Sequence, residues 1–281
     1  MNFLGNFLIR RVTPLVLIVL PFVLPYFKVQ IDLSSFLTVV SLLFAILAGF
    51  FIAGATSNYL RLQELVSQED AKVVSLYHLA RKIDPIAGER MADAVELYTM
   101  KALDHELVDY AAYTEEELKG ILEEIDKVEA HDETGFELIG ILHEIKSDMF
   151  AIHQEMYLTT QTITGPHHWT ILIALSGMTI FMLLELRVPG DLFISSLIAM
   201  LSYAIFQILS LIHDLDSNLF FAKKLGFKNA QQVFKGLNRP RYYPSYALEN
   251  GFVKNPIKPY RVGKMDEVSA GVFKREITLV S

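Results

Sequence analysis

The 281-residue sequence contains no cysteine. That absence removes disulfides, thiolate nucleophiles and cysteine-ligated metal centres together, and it leaves the compartment open. Nucleotide and hydrolase signatures are missing as well: there is no Walker loop, no Gly-x-Gly-x-x-Gly turn and no Gly-x-Ser-x-Gly elbow. No Glu-x-x-His occurs, which excludes the ferritin-like arrangement of carboxylate helices. His143-Glu144 lacks the second histidine of a zincin helix, and His153 lies on a different turn, so neither catalytic nor metal-binding residues are assigned. The histidines of the acidic helices are read as solvated.

Charge is missing in a third, more informative way. No Asp, Glu, Lys or Arg occurs in residues 33–60, 167–184 or 192–212. Each run is about as long as a bilayer core demands. The chain is 52% hydrophobic yet 20% charged, so the two classes are segregated along it. Val12 to Phe27 is a shorter apolar run broken by Pro14, Pro21 and Pro25; it can be a kinked span, a re-entrant segment or an interfacial helix, and a span is taken here. Arg10 and Arg11 before it could open a secretory signal, but no small-x-small site follows Pro25, so the segment is expected to stay uncleaved.

These runs predict an all-α integral membrane protein, multi-pass, in the cell (inner) membrane. Four transmembrane helices, at about 12–30, 33–60, 167–185 and 191–213, form two pairs flanking a helical insert. The expected domains are a first pair at 1–60, an acidic cytoplasmic domain at 61–166, a second pair at 167–213 and a basic cytoplasmic tail at 214–281. Arg10 and Arg11 precede the first span, and Lys223, Lys224 and Lys228 follow the last. Retention of basic residues inside then places both termini in the cytoplasm. Residues 61–166 hold 9 Lys or Arg against 23 Asp or Glu, a net of −14, whereas residues 214–281 hold 12 against 6, a net of +6. Insert and tail are expected to dock within or between subunits, the alternative being two separately solvated faces.

The insert reads as helices. The second span continues without Pro or Gly past Arg61 to about Lys82, where Asp84-Pro85 stops it. A second helix is predicted at 87–110. A third opens at Thr114, with Glu117 completing a capping box. A fourth, at 135–162, carries Leu138, Ile141, Leu142, Ile145, Met149, Ile152 and Met156 in one stripe. Beyond the last span, 223–237 reads as partly helical, 238–264 as extended, and 268–280 as a strand or a loose end. The run Glu115, Glu116, Glu117, Glu123, Glu124, Asp126 and Glu129 lacks the glycine-punctuated loop of an EF-hand and reads as a solvated face. The basic aromatic segments Arg239–Tyr243 and Lys258–Arg261 suit lipid headgroups or the insert better than nucleic acid.

Within the second span, Ala45, Ala48, Gly49, Ala53, Gly54 and Ala55 favour close helix approach, and Leu42, Ile46 and Phe50 recur every four residues. Such a stripe either forms a dewetting constriction around an axis or faces lipid or a neighbouring helix. Spacing leaves both open.

The segment from Phe44 to Asp84, with Gly49-Phe50 and Ser57-Asn58-Tyr59, resembles the second transmembrane helix and following cytoplasmic helix of bestrophin-type channels, in particular the bacterial bestrophin-like membrane families of undetermined role. The order of elements over residues 10–220 is similar too. The exit His213-Asp-Leu-Asp-Ser-Asn-Leu-Phe220 is similar to the Leu-Asp-x-Pro-Phe-x-Gly motif of those families but lacks its Pro and Gly. The resemblance implies a homo-oligomeric, pentameric, passive ion channel with a bestrophin-like fold. It implies pore-lining roles for Leu42, Ile46 and Phe50 at a neck, with Asn58 near the cytoplasmic exit. The calcium clasp of eukaryotic members has no counterpart, and no cofactor is implied. The negative insert leans the ion preference to cations. A membrane-anchored signalling or scaffold protein is the alternative; a secondary transporter would want ionisable residues or broken helices at mid-membrane.

Overall fold

A computed structural model describes residues 3–25, 34–105, 113–160, 165–188, 190–216, 226–269 and 272–281. In chain order the elements are α1 (Phe3–Val23), α2 (Ser34–Ile83), α3 (Pro85–Asp104), α4 (Glu115–Asp126), α5 (Glu133–Thr159), α6 (Pro166–Glu185), α7 (Leu192–Asp216), α8 (Gly226–Gly236), β1 (Arg241–Pro244), α9 (Ser245–Glu249), β2 (Tyr260–Ser269) and β3 (Val272–Val280). The chain divides into two units, residues 1–57 with 162–217 and residues 58–161 with 218–281.

The first unit holds the apolar helices. Among the described residues, α2, α6 and α7 are long and apolar enough to cross a bilayer. The helix α1 spans 21 residues with Pro14 and Pro21 inside it. Its apolar part, Val12–Val23, falls short of the roughly 20 residues a bilayer core requires. Phe44, Ala48, Leu172, Leu183, Ile198, Ile205 and Ile212 form this unit's core. Arg187, buried in the connection between α6 and α7, donates from Nη1 to the carbonyls of Pro21 and Leu24 at 3.0 Å each, and from Nη2 to that of Pro25 at 3.0 Å. One guanidinium thereby satisfies carbonyls that end α1, where no further helical N–H is available.

The second unit folds around the lower half of α2. Leu65, Leu76, Met91, Ile121, Leu142, Met149 and Met156 are fully buried there, contributed by α2, α3, α4 and α5. Each such side chain contributes about 1.5–3 kcal/mol by leaving water. Asp84 ends α2 and caps α3, accepting from the N–H groups of Ile86 and Ala87 at 3.0 Å each. Pro85 at the first helical position is compatible because no helical donor is needed there. Gly88 sits where α3 folds back: a Cβ there would come within 2.5 Å of the Arg81 Cα.

Several expectations are corrected. The chain is mostly helical but not all-α: β1 pairs parallel to β2, and β2 pairs antiparallel to β3. The strand offered at 268–280 corresponds to β3, and the extended reading of 238–264 contains β1 and the start of β2; their pairing into a sheet was not expected, β1 at Arg241–Pro244 being too short to announce it by pattern. The third helix of the insert starts without a capping box. Thr114 has φ −108° and ψ 8°, off the extended backbone of an N-cap, and makes no side-chain cap bond. Glu117 instead meets Lys101 of α3 at 3.2 Å. The helix predicted at 135–162 runs Glu133–Thr159 and is capped by Asp132, which accepts from the Gly135 N–H at 2.6 Å. The predicted extension of α3 to 110 falls partly outside the described residues.

Candidate functional site

On α2 the face toward its own unit carries Val40, Phe44, Ala48 and Ala55, all buried. Leu42, Ile46 and Phe50 each lie two positions beyond Val40, Phe44 and Ala48, on the opposite face of the helix, and are exposed, Phe50 to 71%. The four-residue spacing read from the sequence therefore corresponds to side chains that their own chain leaves uncovered. The small residues behave differently from expectation. Ala48 and Ala55 are buried, but a Cβ at Gly49 or Gly54 would meet no atom within 4 Å. Ala45, Ala48 and Gly49 instead border an open groove of about 550 Å³, whose lining also includes Phe44, Thr179, Leu183 and Ile205. Small side chains on α2 thus leave room within the first unit rather than filling it.

Asn58 is where α2 becomes polar. Its Nδ2 donates to the Thr159 carbonyl at 3.1 Å, close to the end of α5. Arg61 continues the fastening with Glu155 at 2.6 Å and Glu64 at 2.8 Å, and Lys72 pairs with Asp148 at 2.5 Å. Three successive polar contacts therefore hold the lower half of α2 against α5. Each exposed pair is worth little alone, about 0.2–1 kcal/mol, but their register fixes how the two helices align.

The acidic helices spend many of their carboxylates internally. Glu124 pairs with Lys127 at 2.7 Å and Arg90 at 3.0 Å, and Asp126 pairs with Lys146 at 2.6 Å. Hydrogen bonds from Lys127 and Lys146 hold these two carboxyls below their usual range. No group of three or more metal-ligating side chains occurs among the described residues. Arg90, Asp93, Leu97, Glu116, Glu117 and Glu124 line an open cleft of about 540 Å³ between α3 and α4.

Basic tail and acidic insert meet within the second unit. Arg239 contacts Asp93 at 2.7 Å, Glu89 at 3.1 Å and Glu96 at 3.5 Å, and Arg261 pairs with Glu96. Asp104 accepts from the Tyr242 hydroxyl at 2.6 Å and from both Nε and Nη2 of Arg275 at 2.6 Å. Burial raises the Asp104 pKa, and the Tyr242 and Arg275 contacts oppose that rise. Gln231 of α8 bonds both backbone groups of Tyr242, donating to its carbonyl at 2.8 Å and accepting from its N–H at 3.3 Å.

Two features escaped sequence reasoning. His153, read as solvated, is buried with its Nδ1 3.6 Å from Glu69 Oε1, to which the Tyr98 hydroxyl donates at 2.6 Å. Glu69 falls on the same helical stripe as Leu62, Leu65, Val66 and Val73, which was the available signal. Arg187 is the other: a lone cation between two charge-free runs, near a proline-rich segment it was not linked to.

The sequence pattern of the Bestrophin-like domain matches residues 32–218, two thirds of the chain. The chain belongs to the bestrophin-like family. Solved structures share the fold. A bacterial bestrophin homologue from Klebsiella pneumoniae, crystallised as two different single-substitution variants, aligns with TM-score 0.61 in both. Identities are 15% and 14%, covering 84% and 82% of this chain and 97% of each homologue chain. A further crystal structure, of a membrane protein, aligns with TM-score 0.61 at 15% identity over 82% of this chain and 98% of that one. No curated protein matches the sequence. Family and fold together make this an integral membrane protein; the exit at 213–220 lies only partly within the described residues, α7 ending at Asp216.

Proposed function

We propose that this bestrophin-like chain assembles into a homo-oligomeric, passive ion channel. The observation that carries the reading is the row Leu42, Ile46 and Phe50, exposed on a bilayer-length helix in a chain of this family. Copies of α2 arranged around an axis bring these side chains into a narrow apolar neck that passes ions only when wetted. Five copies complete the ring, and Asn58 lies toward the cytoplasmic exit. In this reading α1 completes a fourth span, both termini and residues 61–166 face the cytoplasm, and the net −14 of that insert favours cations. Gating and conduction need no catalysis and no cofactor.

Planar bilayers containing the purified protein in asymmetric KCl test this directly. Discrete currents that reverse toward the potassium equilibrium potential are expected, and Phe50→Ala and Ile46→Ala are expected to raise channel opening or conductance several-fold. Silence across voltage, pH and calcium would overturn the channel and favour a membrane scaffold whose insert receives a partner.

A further inference from the structure

The groove of about 550 Å³ in the first unit lies on the side of α2 opposite the exposed row. Its floor is formed by Phe44 and Ala48 of α2, Thr179 and Leu183 of α6 and Ile205 of α7, all buried. The exposed residues of its lining are Ala45 and Gly49 on α2 and Leu201 and Ala204 on α7, so it opens between those two helices. Three of these four have little or no side chain, and a Cβ at Gly49 would meet nothing within 4 Å. The mouth is therefore made by side chains that α2 and α7 lack.

The lining specifies what can enter. Among the described residues it includes no Asp, Glu, Lys, Arg or His. Its two hydroxyls are already engaged: Ser41 donates to the Thr38 carbonyl at 3.2 Å and Thr179 to the Leu175 carbonyl at 2.8 Å. A charged or hydrogen-bonding occupant would lose its solvation without compensation. Left empty, the walls would forfeit their dispersion contacts. Hydrocarbon meets both conditions. From Leu37 to Ile52 α2 rises about 22 Å, and over that length the volume corresponds to a slot about 5 Å across. A helix with its side chains needs about 10–12 Å, so another helix does not fit whereas one flexible chain does.

The surroundings supply such a chain. The groove is bounded by α2, α6 and α7, the helices long and apolar enough to cross a bilayer. Its mouth at Leu201 and Ala204 is continuous with exposed Phe193, Leu197 and Met200 on α7, apolar surface that an integral membrane protein turns to lipid. We infer that the groove is a binding site for one acyl chain of a bilayer lipid, held by apolar contact behind α2 without recognition of the headgroup. A chain seated there takes the place of side-chain packing between α2 and the other two helices. The site goes beyond the channel reading and does not depend on it.

The full chain is reconstituted in phosphatidylcholine nanodiscs doped with a phosphatidylcholine carrying a diazirine at mid-chain, photolysed and mapped by peptide mass spectrometry. Adducts are expected on the floor at Phe44, Thr179 and Leu183, and also on Met200, which is 69% exposed and meets ordinary surrounding lipid. Hexadecane, a hydrocarbon with no headgroup, is expected to lower the floor adducts several-fold and to leave those on Met200 nearly unchanged. Ala45→Phe/Ala204→Phe, which fills the mouth, is expected to remove the floor adducts while its helix content by far-ultraviolet circular dichroism matches wild type. Adducts confined to outward residues such as Met200 overturn the inference, whether the groove is closed or holds side chains of a second copy. Floor adducts that hexadecane does not displace overturn it in favour of headgroup recognition, and floor adducts that persist in the folded double variant overturn it too. No current is measured, so silence in planar bilayers leaves this site standing, and failed labelling of the floor leaves the channel standing.

Discussion

The Asp104 side chain and the Oδ2 atom of Asp70 are buried, and their partners differ. Asp104 is held by Tyr242 and Arg275. Asp70 sits on α2 next to Glu69, with its Oδ2 buried and without a hydrogen-bond donor among the described residues. Burial first, and then the neighbouring Glu69 charge, hold its carboxyl well above the usual carboxylate range. A carboxyl with a raised folded-state pKa binds more protons folded than unfolded, so stability falls as pH rises from the unfolded value near 4 through the folded one. Asp70→Asn removes that loss. Thermal unfolding followed by circular dichroism is expected to show the variant more stable than wild type at pH 8, with the difference shrinking steadily on acidification toward pH 4. A difference independent of pH would refute the account.

At the scale of elements, the reversal from α2 into α3 depends on the absence of a side chain at Gly88. A Cβ there would meet the Arg81 backbone, which cannot swing aside as a flexible side chain could. Gly88→Ala is expected to cost about 1–3 kcal/mol through overpacking. Gly120, in the middle of α4, is a control of the same chemistry: a Cβ there meets nothing within 4 Å. Gly120→Ala is expected to stabilise by about 0.5–1 kcal/mol through helix propensity alone. Denaturant unfolding of the two variants side by side reads the contrast, and equal shifts would remove the steric explanation. Elements of this second unit were legible to different degrees. The stop at Asp84-Pro85 was evident because proline and its preceding residue restrict the backbone locally. The sheet was not, because β1 has only four residues and its pairing with β2 joins segments separated by α9 and a loop.

For the whole molecule, the charge asymmetry between insert and tail bears on ion preference. Part of the insert's charge is already neutralised by Arg239, Arg261 and Arg275, and by pairs such as Lys72 with Asp148. Among the carboxylates of the α3–α4 cleft, Asp93, Glu117 and Glu124 are paired, whereas Glu116 forms no ion pair among the described residues. If the insert lines the ion path, Glu116→Gln/Glu123→Gln shifts the reversal potential in asymmetric KCl away from the potassium value. The shift is expected to be larger at 50 mM salt than at 500 mM, because screening lengths shorten as salt rises. An unchanged reversal potential at low salt would place these groups away from the path.

The sequence by itself determined the bilayer-length helices, the long continuous α2, the acidic insert and the family resemblance, because charge-free runs, proline stops and helical spacing are local properties of the chain. Only the tertiary structure decided that Arg187 ends α1, that Tyr242 and Arg275 share Asp104, and that Glu69 and His153 are buried together. Those contacts join residues far apart in sequence, and burial, which gives a charged side chain its energy and its partner, is not a local property.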